Sequence, residues 1–132
     1  MRRCCVDKSL LVNGFEQVLK RLADALASPA QNDLEKAGCI QYFEFCFKLA
    51  WKSIRFVAGS QGLADCSSPK ACLKQAFASH WIDHEEIWLD MLSERNRMSH
   101  TYSAADALTV YDRLREYQQQ IEILLAALKA QD

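Results

Sequence analysis

The segment from about Asn32 to Ala58 constrains the fold of this chain more than any other part of it. Apolar residues recur there at helical spacing, and in the middle of the segment they cover more than one side of the predicted helix. A helix of this kind is either central to a hydrophobic core or buried against a second subunit. Asn32 or Asp33 can cap its start, and Gly59 and Gly62 lie where a helix stop is expected. The chain is therefore predicted to be organised around one long helix.

Two further helices are predicted on either side of this segment. The first spans residues 6–27 and stops before Pro29, because proline disfavours a helical conformation of the residue that precedes it. A short helix spans residues 68–79, with Ser68 as N-cap and Pro69 as the first helical residue. The first helix is recognised by apolar residues spaced three or four positions apart: Leu10, Leu11, Phe15, Val18, Leu19, Leu22, Ala25 and Leu26.

The C-terminal half contains two more helix starts. Asp83 with Glu86 resembles a capping box, and Ser103 with Asp106 is a weaker version of the same signal. The last helix should run to about Leu128. Only four Gly and two Pro are present, and no strand pattern appears, which argues against a fold with many turns. We predict an all-α, antiparallel up-and-down four-helix bundle with one short extra helix, formed as a single domain by residues 1–132.

Charge and cysteine usage limit the function classes. The net charge of −1 supplies no overall basic field of the kind that drives non-specific nucleic-acid binding, so any RNA contact has to be local. No apolar stretch approaches the ~20 residues of a membrane span, and the N-terminus lacks the apolar region of a signal peptide. We therefore expect a cytoplasmic protein without a membrane partner. In that reducing compartment all six cysteines are predicted to be free thiols: Cys4, Cys5, Cys39, Cys46, Cys66 and Cys72.

Residues 95–102, with the sequence Arg-Asn-Arg-Met-Ser-His-Thr-Tyr, combine the groups needed to cleave a phosphodiester without a metal. Arg95 offers a planar, permanently charged fork to phosphate oxygens. His100 can take and give a proton near neutral pH, which suits RNA cleavage with the 2′-hydroxyl as nucleophile. Asn96 could orient the imidazole, and Tyr102 could bind the phosphate or act as a nucleophile. We predict Arg95, Asn96 and His100 as catalytic residues.

Helical geometry sets a condition on this site. On a straight helix Arg95 and His100 point ~140° apart. They converge only if the helix ends near Ser99, or if a second subunit contributes its own copy, as a two-fold dimer would. The aromatic run at residues 42–51, predicted to lie in the core or at a dimer interface, is compatible with the second route.

The same residues also have purely structural interpretations. Arg95 and Arg97 would be favoured by the dipole at a helix C-terminus, His100 would be a C-cap, and Tyr102 a half-buried packing residue. His80 with His84, four positions apart, is a weak candidate for a metal site, because the capping signal at Asp83 places a helix boundary between them. Lys48, Lys52 and Arg55 form a basic stripe. Such a stripe is usually a solvated face, but it could contact phosphates if it lines the same cleft as Arg95.

Two segments together resemble a known family. Residues 43–52, Phe-Glu-Phe-Cys-Phe-Lys-Leu-Ala-Trp-Lys, and residues 95–102 are similar to the nucleotidyltransferase substrate-binding proteins, small helical bundles of the HEPN superfamily and the HepT type. The similarity extends from about Leu10 to Leu128. It implies a homodimer and a partner, a minimal nucleotidyltransferase encoded nearby.

The resemblance also implies roles for individual residues. The family motif, Arg followed by four residues, His, any residue and Tyr, falls on Arg95, His100 and Tyr102 without a gap. Arg and His are the proposed residues of a metal-independent endoribonuclease that acts as a toxin in a toxin–antitoxin pair, with RNA as substrate. The partner uses ATP to place AMP on the motif Tyr and silence that activity. Asn96 matches the polar residue that commonly follows the Arg.

Two functions remain open from the sequence. The chain is either such a ribonuclease, needing no cofactor of its own, or a non-catalytic adaptor that presents a nucleotide or Tyr102 to its nucleotidyltransferase. Some members of the family are known only as partner proteins, which supports the second alternative. Binding of a small ligand in the bundle core is a weaker, third alternative.

Overall fold

The computed structural model describes the backbone of residues 2–63, 66–100 and 103–131, and side chains from Leu10 onward. This part of the chain is all-helical and contains no strand, as predicted. None of its helices is both long and apolar enough to span a membrane. The elements in chain order are α1 Arg2–Leu26, α2 Asp33–Ser60, α3 Pro69–Ala78, α4 Glu85–His100, α5 Ala104–Ala107, a 3₁₀ segment Leu108–Arg113, and α6 Leu114–Lys129.

Helix α2 lies at the centre of the bundle, as its sequence predicts. Its core-facing residues recur at intervals of three and four and are fully buried: Phe43, Phe47, Ala50, Ile54 and Val57. Helices α1, α3 and α6 all pack against it. The buried side of α6 follows the same spacing, with Leu114, Tyr117, Ile121, Leu124 and Leu128. One contiguous core therefore draws on the helices from both ends of the chain.

Three of the predicted helix starts are confirmed by their capping hydrogen bonds. The side-chain oxygens of Asn32, Ser68 and Ser103 each accept a hydrogen bond from the backbone N–H three residues later. The capping box predicted at Asp83 is wrong, because α4 begins at Glu85. Glu86 instead pairs with the imidazole of His84 at 3.2 Å.

Two details of the first and last helices differ from the prediction. Leu10 is 68 % exposed, and Val12 takes its place in the buried stripe. The two residues differ by about 200° around the helix, so they cannot face the same neighbour. The last helix is divided: α5 is one turn, and the 3₁₀ segment that follows it buries Tyr111, whose hydroxyl accepts a hydrogen bond from Ala30 N–H at 2.8 Å. This long-range bond fixes the 3₁₀ segment against the turn between α1 and α2.

The prediction of six free thiols is wrong for one pair. Cys66 and Cys72 form a disulfide between the loop after α2 and the first turns of α3, with Cα atoms 4.9 Å apart. A compartment argument has no information on which thiols the fold makes adjacent. Cys39 and Cys46 are buried free thiols, as predicted; burial raises the pKa of Cys46 to about 12. The side chains of Cys4 and Cys5 lie outside the described residues.

Candidate functional site

Arg95 lies in the penultimate turn of α4, where its guanidinium carbon is 5.8 Å from the ring centroid of Phe47 on α2. Phe47 is fully buried, whereas Arg95 is partly exposed, so the guanidinium covers the edge of the core and still reaches solvent. A cation placed over an aromatic face is attracted by the ring quadrupole, by about 0.5–1 kcal/mol at such exposed sites. This contact holds Arg95 beside α2. Arg95 forms no ion pair with any described residue.

His100 is the last residue of α4, and its side chain is exposed. Asn96 lies four residues earlier on the same face and is also exposed, with no hydrogen bond joining these two described side chains. Ser99 donates its hydroxyl hydrogen bond back to the Arg95 carbonyl at 3.2 Å, as a helical residue does. Tyr102, the predicted acceptor of AMP, lies outside the described residues.

One chain does not bring Arg95 and His100 together. Because α4 remains helical through His100, their side chains leave the helix ~140° apart and about 7.5 Å apart along its axis. Of the two routes to convergence predicted from the sequence, an early end of the helix is therefore not the one used.

Arg97 has a different environment from Arg95, although the two are only two residues apart. Its guanidinium pairs with Glu94 at 2.9 Å and with the Asp106 carboxylate at 3.2 Å. It also donates to the Asp106 carbonyl at 3.1 Å and to the Thr109 hydroxyl at 3.1 Å. The hydrogen bond and charge of Glu94 raise the pKa of Arg97. Arg97 thus joins α4 to α5 and the 3₁₀ segment.

A second polar cluster lies one turn and more before Arg97. The hydroxyl of the fully buried Tyr117 on α6 donates to the Asp90 carboxylate at 2.5 Å, and Arg113 forms an ion pair with the same carboxylate. Burial and the hydrogen bond to Asp90 raise the pKa of Tyr117 well above its ordinary value. The Tyr117 ring stacks on Phe43 at 5.3 Å. This cluster fixes α4 against α6.

The basic stripe of α2 is on the outside of the bundle. Lys48, Lys52 and Arg55 are all exposed, and the ammonium of Lys52 lies 6.0 Å from the Trp51 ring centroid. Lys48 directly follows Phe47, the ring beneath Arg95, so the stripe begins beside that guanidinium. The weak metal candidate gains no support, because His80 and His84 both lie in the connection between α3 and α4, and His84 is engaged by Glu86.

Two surface grooves lie away from residues 95–100. One, of about 250 Å³, is at the junction of α1 and α2, and the other, of about 260 Å³, lies between the start of α2 and the 3₁₀ segment. They are lined by Ala25, Ala30, Glu35, Gly38, Cys39 and Tyr42, and by Asp33, Lys36, Ala105, Leu108, Thr109 and Asp112, respectively. Neither groove includes a motif residue.

Several residues around the site were not predicted from the sequence. The spacing of Glu94 and Arg97, three positions apart on a helix, is a signal that could have identified their ion pair. No local signal links Asp90 to Tyr117, which is 27 residues away, or Arg95 to Phe47.

The comparisons with known proteins bear on this fold and its family. The family model described as nucleotidyltransferase substrate binding protein like matches residues 11–130. A crystal structure of a protein from Thermus thermophilus has the same fold, with a TM-score of 0.80, 24 % sequence identity, and coverage of 87 % of this chain and 98 % of that chain. The search of curated proteins finds no match. Since the family model covers nearly the whole chain, this protein belongs to the nucleotidyltransferase substrate-binding protein-like family.

Proposed function

We propose that this protein is a HepT-type member of the HEPN superfamily: a homodimeric, metal-independent endoribonuclease of the cytoplasm that a minimal nucleotidyltransferase silences by placing AMP on Tyr102. The contrast between the two arginines of the motif supports this proposal most directly. Arg97 is engaged by Glu94, Asp106 and Thr109, whereas Arg95 rests on Phe47 and pairs with no acid in the described part of the chain. Arg95 therefore keeps its N–H donors for an incoming anion.

The chemistry follows from the groups present. His100 removes the proton of the RNA 2′-hydroxyl, and the 2′-oxygen attacks the adjacent phosphorus. The bond from phosphorus to the 5′-oxygen breaks, the protonated imidazole returns a proton to that leaving oxygen, and a 2′,3′-cyclic phosphate remains. Arg95 stabilises the charge that develops on the non-bridging oxygens. Asn96, on the same face as His100, orients the ring.

A second copy of the chain is part of this proposal, because α4 alone holds Arg95 and His100 apart. A two-fold interface places the same surface of both copies together, and so pairs each Arg95 with the other copy's helix end. Phe45, on the outer side of α2 and 46 % exposed, is a suitable apolar contact for that interface.

Modification of Tyr102 would act by charge. The phenolic oxygen attacks the α-phosphorus of ATP, pyrophosphate leaves, and the tyrosine then carries an AMP phosphodiester. That added negative charge, two residues from His100, disfavours binding of the RNA phosphate at Arg95.

The nuclease activity is tested by incubating purified protein with RNA in EDTA. His100→Ala should lower cleavage by about 10²–10⁴-fold, the usual contribution of general acid–base catalysis. Arg95→Met, which keeps an apolar stem over Phe47, should lower it by about 10²–10³-fold. His84→Ala is the matched control, since His84 is an exposed histidine outside the motif. Equal rates for the wild type, His100→Ala and His84→Ala, or cleavage that requires added metal, would refute the mechanism.

The alternative is a non-catalytic adaptor, and the description of the matching family as substrate-binding supports it. The test combines this protein, ATP and the nucleotidyltransferase encoded nearby, followed by mass analysis. The nuclease proposal expects an AMP adduct on Tyr102, absent from Tyr102→Phe, and loss of cleavage as the adduct forms. A stable complex together with a protein that never cleaves RNA would establish the adaptor instead.

A further inference from the structure

We infer that Arg97, inside the motif but not part of it, is a positioning residue that holds the catalytic turn of α4 in place. The inference rests on the proposed function and extends it to a residue with no assigned role. Arg97 acts through His100 and makes no contact with RNA.

The contacts of Arg97 form a bridge between two parts of the chain. On α4 its guanidinium takes both carboxylate oxygens of Glu94, at 3.3 and 2.9 Å. Beyond α4 it reaches the Asp106 carbonyl and carboxylate and the Thr109 hydroxyl. Thr109 in turn donates to the Asp106 carbonyl at 2.7 Å, so both acceptors belong to one hydrogen-bonded turn. The planar fork of an arginine can satisfy such a divided set of acceptors, which a lysine cannot.

This bridge encloses the catalytic part of the motif. His100 is three residues after Arg97, adjacent to it on the helix surface, and is the final residue of α4. The Ser103 cap that starts α5 comes directly after Tyr102 in the chain. A helix end normally frays. The Arg97 bridge spans both sides of the sequence from His100 to Ser103, and so restrains the end of α4 at the position where His100 must meet a phosphate.

Neutralisation by acidic groups excludes Arg97 as a substrate ligand. Glu94 and Asp106 lie on either side of its guanidinium, and their charge repels a phosphate. Arg95 has no such neighbours among the described residues. The two arginines therefore divide the work: Arg95 binds the anion, and Arg97 sets the geometry.

The test compares three variants of the full-length protein in the RNA cleavage assay. Arg97→Met removes the bridge and should lower kcat by about 10²-fold with little change in KM, since small displacements of catalytic groups have effects of that size. Arg97→Lys can keep the ion pair with Glu94 but not the bridge, and should lower kcat nearly as much. Arg113→Met is the matched control, because Arg113 also ties the 3₁₀ segment to α4 by an ion pair, but at Asp90, far from His100.

The inference is wrong if Arg113→Met lowers kcat as much as Arg97→Met does, or if Arg97→Lys restores the wild-type kcat. Amide hydrogen exchange in the same variants separates this result from a failure of the proposed function. Arg97→Met should accelerate exchange by at least about tenfold at His100 and Ala107 and leave α1 unchanged. If the wild type cleaves no RNA but this local acceleration is found, the nuclease proposal fails and the positioning role stands. Uniform acceleration throughout the bundle refutes the positioning role.

Discussion

The hydrogen bond between Tyr117 and Asp90 gives the most quantitative prediction for this fold. Replacing Tyr117 with Phe retains the ring that stacks on Phe43 at 5.3 Å, and so keeps the apolar burial. The change removes only the hydroxyl that donates to Asp90 at 2.5 Å. The energetic effect of Tyr117→Phe is therefore that of one hydrogen bond to a carboxylate.

The magnitude follows from what remains. Hydrogen bonds to charged groups contribute about 1.5–3 kcal/mol. Asp90 is 31 % exposed and keeps its ion pair with Arg113, which places Tyr117→Phe near the lower limit, about 1.5 kcal/mol. For a domain of this size that corresponds to a fall in Tm of roughly 6 °C. Asp90→Ala should cost more, about 3 kcal/mol, because it leaves the buried Tyr117 hydroxyl and the Arg113 charge without their partner.

The assay is urea unfolding of the wild type, both single variants and the double variant. If the hydroxyl acts through Asp90, the double variant is no less stable than Asp90→Ala alone, and the coupling energy is about 1.5 kcal/mol. Losses that simply add, to within about 0.5 kcal/mol, would refute the reasoning.

The same pair predicts a pH dependence. The pKa of Tyr117 is raised in the folded state by burial and by Asp90, above the value of about 10 in an unfolded chain. The stability contributed by this proton is complete below pH ~10 and falls as the pH rises beyond it, because the unfolded state then loses the proton more readily. The stability difference between the wild type and Tyr117→Phe should therefore narrow above pH ~10.

Two further outcomes are expected. On a His100→Ala background, Lys48→Gln with Lys52→Gln should reduce the salt dependence of single-stranded RNA binding by a slope of about 1.4, or ~0.7 for each phosphate contact, measured by fluorescence anisotropy; Lys70→Gln with Lys74→Gln, an exposed pair of the same spacing on α3, is the control, and equal slopes would count against the basic stripe. The raised pKa and burial of Cys46 predict that its thiol resists iodoacetamide in the folded protein and reacts on unfolding, as peptide mass analysis can measure; rapid labelling of the native protein would contradict its burial.

Much of the secondary structure could be predicted from the sequence because its signals are local. The apolar spacing of α2 and α6 and the caps at Asn32, Ser68 and Ser103 depend on residues within one or two turns of each other. The errors occurred where a local signal had a competitor. At Asp83 the sequence matches a capping box, yet the helix begins at Glu85.

The disulfide and the polar clusters had no local signal of comparable strength. Cys66 and Cys72 are joined because the loop after α2 returns to the start of α3, which cysteine spacing alone did not reveal. Asp90 and Tyr117 meet because α4 and α6 pack together. The residue types were visible, but their pairing depends on the packing of helices.

The sequence by itself determined the helical bundle and the identity of the motif residues, because helical periodicity and the spacing of Arg95 and His100 are properties of the linear chain. Only the tertiary structure distinguished the two arginines. Arg95 meets an aromatic ring of α2, while Arg97 meets two acids and a hydroxyl, and these surroundings come from three different elements of the fold. A guanidinium that is already neutralised cannot bind a phosphate well, so its environment decides which arginine is available to substrate.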